Sequence, residues 1–137
     1  MIDQQFTLYA KLQVCATDGQ TMPSDQVLQA LRGSFVRLAE ALCLEFTSQL
    51  SAVFDLVSVR EAGLHQEPRQ FSTIVQVKIR SGEEVAGAFC SQWVVSAGSW
   101  VHSMAEAFPE LRGTTTVGIE RDRQPIVAFP RPFPRAA

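Results

Sequence analysis

Cysteine and histidine are the pair best suited to nucleophilic chemistry near neutral pH, a thiolate as the attacking atom and an imidazole as the base that generates it. The sequence contains three cysteines and two histidines. One of each falls in a single stretch without any Asp, Glu, Lys or Arg, GAFCSQWVVSAGSWVHSM, from Gly87 to Met104. Cys90 and His102 would form a nucleophile–base pair only if the chain turned between them. In one continuous helix they stand about 18 Å apart along the axis, at about 1.5 Å per residue, and cannot meet. Cys90 also sits among apolar neighbours, where a thiol is inert packing.

His65, beside Glu67 in the segment GLHQEPR, reads as part of a solvated loop, and two histidines in all leave no clustered set of metal ligands. Glu83 and Glu84 occupy a turn or helix start and are explained there structurally. Glycine-rich phosphate loops, nucleophile elbows, zincin motifs and EF-hand spacings do not occur. The expectation is therefore of no catalytic residue, no metal and no cofactor.

Binding offers more candidates. Trp93 and Trp100 serve either as core anchors or, at a surface, as interface hot spots, and His102 joins them on the same stretch. Near the C-terminus Arg121, Arg123, Arg131 and Arg135 interleave with Phe129 and Phe133. Arginine and aromatics in that pattern bind single-stranded nucleic acid by charge and stacking. The formal net charge of −2 argues against nucleic acid as a partner. The stretch FPRPFP reads better as an extended strip offered to a protein groove, or as an arm packed along this domain or a neighbouring copy. The binding candidates are accordingly Trp93, Trp100, His102, Arg131 and Phe133.

Bulk properties limit the classes further. The 137 residues suit one domain, with 46% hydrophobic and 19% charged residues placing the chain among globular proteins. Cys15, Cys43 and Cys90 show no C-x-x-C spacing and read as free thiols, and the N-terminus has no apolar signal region, so a reducing, cytoplasmic setting is expected. The uncharged run from Val85 to Ala105 is long enough to cross a bilayer but carries too many serines, a glutamine and a histidine, so no membrane role is expected.

The elements that must position these residues follow from hydrophobic period. Phe6, Leu8, Ala10, Leu12, Val14 and Ala16 alternate with polar residues, which predicts a half-buried strand. Ser24 is placed to cap a helix with Asp25 in its first turn, and Val27, Leu28, Leu31, Phe35, Leu38 and Leu42 form its apolar stripe. Residues 51–60 read as a second strand, 61–69 as a polar loop, and 71–80 as a third strand with Phe71, Thr73, Val75, Val77 and Ile79 inward. TTTVGIE and QPIVAF make one or two more strands around RDRQ, and the proline-rich tail is an edge, an arm or disorder.

Residues 82–108 admit two readings. As one helix, capped by Ser81 and Glu84, they place Val85, Phe89, Trp93, Ala97, Trp100, Val101, Met104 and Phe108 on one arc. As a strand paired back on 71–80, then a turn and a short helix capped by Ser99, they satisfy the propensities of Gly87, Gly98, the Val94–Val95 pair and the serines. Propensity favours the second.

The resulting expectation is a single α+β domain over residues 1–129, a mainly antiparallel sheet with two helices packed on one face, followed by a Pro/Arg-rich arm over 130–137. The ferredoxin-like βαββαβ order is the alternative if residues 82–108 are one helix. The functional expectation is a non-enzymatic small cytoplasmic protein-interaction module, an adaptor, inhibitor or assembly component acting through its sheet face and its arm on a protein partner, by self-association as a homodimer, or both. The alternative is a small-ligand-binding protein or enzyme with a pocket between sheet and helices at a dimer interface.

Overall fold

Alternation in the sequence becomes a two-faced sheet. The computed structural model describes residues 2–15, 23–67, 70–109, 111–121 and 124–132. In β1 (Ile2–Cys15), Phe6, Leu8 and Ala10 are buried while Asp3, Gln5 and Lys11 are exposed. β1 pairs antiparallel with β3 (Gln70–Ser81) on one side and β4 (Arg112–Arg121) on the other. β2 (Phe54–Glu67) flanks β3 and β5 (Gln124–Pro132) flanks β4, giving the antiparallel order β2-β3-β1-β4-β5. Gly113, opposite Val14 at the start of β4, has φ 125°, a conformation that suits glycine alone.

The helix α1 (Asp25–Gln49) begins where the sequence places it: the Ser24 Oγ accepts from the Val27 N–H at 3.4 Å, and Asp25 stands in the first turn. Its stripe, Leu28, Leu31, Phe35, Ala39, Leu42, Cys43 and Phe46, is buried against the sheet and the second helix.

That second helix corrects the preferred reading of residues 82–108. α2 (Glu83–Ala107) is one continuous helix of 25 residues. Propensity loses because packing outweighs it: Ala86, Phe89, Trp93, Ala97, Trp100 and Val101 all fall on one buried stripe. Glycine and β-branched residues cost up to about 1 kcal/mol each in a helix interior, whereas burying one large side chain contributes roughly 1.5–3 kcal/mol. The capping box also fails to form. Gly82 is the N-cap without a side-chain bond, and Ser81 stays in the sheet opposite Ile2 and Phe54. The element order up to β4 is thus βαββαβ, the ferredoxin-like arrangement, with β5 added beyond β4.

A further correction concerns a loop. Residues 61–67, expected as loop, continue β2, accommodated by register shifts between Leu56 and Ser58 and between Glu61 and Gly63. Residues 130–132 of the proline-rich tail lie in the edge strand β5, one of the readings open to that tail, with Pro130 and Pro132 opposite Thr116 and Thr114; Phe133 and the rest of the arm lie outside the described residues.

Aromatic rings join the layers. Phe35 of α1 meets Trp93 and Trp100 of α2 edge-on, each at 5.4 Å between centroids. Phe89 contacts Phe6 of β1 at 5.6 Å, Phe46 of α1 at 5.4 Å and Phe54 of β2 at 6.0 Å. Both indole N–H groups are satisfied, Trp93 donating to the Gly118 carbonyl of β4 at 3.0 Å and Trp100 to the Ser34 Oγ at 2.9 Å. Because Phe89 touches three elements at once, Phe89→Ala is expected to cost about 3–5 kcal/mol, read as a lowered urea midpoint by circular dichroism. A loss under 1 kcal/mol would contradict this account of the core.

Candidate functional site

The continuity of α2 decides the chemistry of its residues. Cys90 and His102 ride the same straight helix, about 18 Å apart along its axis. Neither acts on the other. Cys90 is half-buried, facing β4, and burial pushes its thiol above the ordinary value, with Arg121 opposing weakly. Cys43, fully buried in α1, is pushed up to about 12 by burial and then by Glu40. Both thiols are protonated at neutral pH and neither is in a disulfide.

His102 stands on the outward side of α2, its side chain 69% exposed, with Nε2 at 3.1 Å from the Glu106 carboxylate one turn on. An exposed His–Glu pair at this spacing is a surface feature, not a shielded acid–base centre. Among the described residues no group of three or more His, Cys, Asp or Glu side chains is arranged to hold a metal ion.

The predicted binding residues separate in space. Trp93 and Trp100 are buried in the core, so their aromatic surface is spent between α1, α2 and the sheet. Arg131 occupies the β5 position opposite Thr115, and Phe133 lies outside the described residues. Of the C-terminal arginines, Arg121 is held by Glu83: Nη1 donates to Oε2 at 2.8 Å and Nη2 to Oε1. That guanidinium holds the Glu83 carboxyl below its ordinary value and also lies 5.9 Å from the Phe6 ring. A cation so engaged adds little to a nucleic-acid surface.

Among the described residues, hollows lie on two sides of α2. A groove of about 430 Å³ runs along its β4 side, with Gly87, Cys90, Ser91 and Val94 as wall and the Glu83–Arg121 pair at one end. A shallower hollow of about 470 Å³ lies on the outward side, formed where Gly98 provides no side chain between Val94, Val95 and His102. Val94 borders both.

At the edge of the second hollow stands Val95, 62% exposed. Around it Gly87, Ala88, Ser91, Gln92, Ser99 and Ser103 are exposed, and no charged residue occurs between Glu84 and Glu106. The outward side of α1, by contrast, carries Arg37, Glu40 and Glu45, with Leu44 exposed among these charges. A solvent-facing helix surface is ordinarily charged, as α1 is. Val95 and Gly98 were missed from sequence because the strand reading gave them no common face; helical period, applied to the same residues, places both opposite Trp93.

The outer face of the sheet is different in kind. Its arginines are engaged: Arg80 Nε donates to Asp3 at 2.7 Å, Arg80 Nη1 stands 4.0 Å from Asp55, and Arg60 donates to the Gln76 side-chain carbonyl at 2.8 Å. Tyr9 is nearly buried there, between Ile74 and Gly118, with Lys11 Nζ 5.3 Å from its ring centre.

No helix of the described residues is long and apolar enough to cross a membrane. Thiol reactivity follows from the geometry. With an alkylating reagent at pH 8, Cys90 is expected to react slowly and Cys43 only after unfolding, as read by peptide mass spectrometry; rapid labelling of Cys43 in the native protein would contradict its placement. Comparison with protein-family models, with curated proteins and with solved structures finds no match to this chain.

Proposed function

We propose that this protein is a non-enzymatic interaction module of a reducing, cytoplasmic setting, and that it binds a protein partner through the outward face of α2. One observation carries the reading: a helix of 25 residues exposes a surface with no charge from Val85 to Ala105 and a protruding Val95 at its centre. A protein partner can cover such a face, where serines, Gln92 and His102 surround Val95, without burying an unpaired Asp, Glu, Lys or Arg. The unpaired thiols of Cys43 and Cys90 support the reducing setting.

The edges of the sheet favour contact through faces. β2 carries two register shifts and the charges Asp55, Arg60 and Glu61, while β5 holds Pro125, Pro130 and Pro132. Bulges, charges and prolines are the devices that prevent strand addition at an edge. The sheet's outer face, with its arginines engaged, is an ordinary solvated surface. A small-ligand reading would use the groove beside Cys90, but its polar end is occupied by Glu83 on Arg121.

Val95→Arg tests the reading. The substitution is on the surface, so unfolding free energy is expected to change by less than about 0.5 kcal/mol. The complex recovered by pull-down from the native source, with its native mass measured, is expected to be lost. Full retention of that complex by the variant would contradict the role of this face.

A further inference from the structure

We infer that the occupant of the α2 face is a second copy of α2, crossing antiparallel about a two-fold axis; this rests on the reading of that face as a protein-binding surface. An isologous contact requires one patch to hold both a projection and the recess that receives it. Here both lie on one helix turn. Val95 projects, and three residues on, Gly98 opens the hollow bounded by Val94, Val95, Ser99 and His102. A two-fold axis passing between Val95 and Gly98 seats each Val95 in the Gly98 hollow of the other copy.

The remaining pairs follow from that axis. Ser91 comes opposite His102 of the other copy, and Val94 opposite its Ser99. The central turns therefore meet without any Asp, Glu, Lys or Arg, since none occurs from Val85 to Ala105 on either helix. Glycine and serine at Gly87, Ser91, Gly98 and Ser99 let the two backbones approach closely, and the row Gly87, Ser91, Val95, Ser99 follows the i±4 ridge that packs helix on helix. The acidic residues Glu84 and Glu106 remain at the rim.

Area sets the strength. The exposed residues of this face between Val85 and Ala105 are eight, about a third of the roughly 20–30 a side in a standard interface, which places the contact in the weak, reversible class. Half-association is expected at roughly 10–100 μM.

Sedimentation equilibrium of the full chain over that range, with Val95→Arg and Gly98→Leu alongside, reads the contact. The wild type is expected to associate to a dimer; both variants, shown folded by circular dichroism, are expected to raise the dissociation constant at least about tenfold. Geometry is read by oxidation of two separate variants, with the parent chain as control and disulfides located by peptide mass spectrometry. Val95→Cys is expected to form a 95–95 intermolecular disulfide. Ala88→Cys is expected to form none, because the antiparallel crossing holds the two copies of residue 88 about 25 Å apart.

A wild type that remains monomeric throughout overturns the inference, as does an 88–88 disulfide, which requires parallel helices. Should the wild type be monomeric while Val95→Arg still abolishes a complex with a different protein, the second copy is refuted and the binding face stands. Should neither association depend on Val95, both are refuted.

Discussion

The position of α2 rests on one buried indole. Trp93 is fully enclosed, its N–H donates to the Gly118 carbonyl of β4, and its ring takes the edge of Phe35 from α1. A buried N–H left without an acceptor costs about 1–3 kcal/mol, so the helix has one rotation at which this residue is satisfied. With that rotation fixed, Phe89 and Trp100 one and two turns away also face inward. Every residue on the opposite side is presented to solvent as a consequence. The same constraint that builds the core thus creates the Val95 face.

This arrangement explains why a helix forms from a sequence with modest helix propensity. Gly87, Gly98 and the valine pair weaken the isolated segment, and the tertiary contacts of the buried stripe compensate. Those residues have an effect outside the core as well. Small side chains leave the hollows at Gly87 and Gly98, and Val95 supplies the projection beside the second. Charged residues at the same positions would have given a more ordinary soluble helix. Their absence is a property of the exposed face, since the buried stripe would be apolar in either case.

Much of the scaffold was legible from hydrophobic period. β1 and β3 show clean alternation, and Ser24 followed by Asp25 announces α1 at its observed start. The α+β class and the placement of two helices on one antiparallel sheet follow from those elements. Residues 82–108 were misassigned because a run of apolar and small residues fits period two over ten residues and period 3.6 over twenty-five; only the partners Phe35, Phe46 and Gly118, distant in sequence, decide between them. The extension of β2 through Glu67 was hidden by Gly63 and polar residues that two bulges accommodate. At the site, the lack of charge was visible at once, whereas the protruding Val95 and the burial of both tryptophans depended on knowing that the stretch is helical.

The continuity of α2 is the claim on which fold and face both stand, and backbone NMR chemical shifts across Glu83–Ala107 test it most directly. The account predicts helical carbon shifts for every residue of this span, including Val94, Val95 and Gly98, without interruption. Extended-strand shifts from Val85 to Val95 followed by a turn at Ser96–Ser99 would contradict it, and would remove the surface to which the function is assigned.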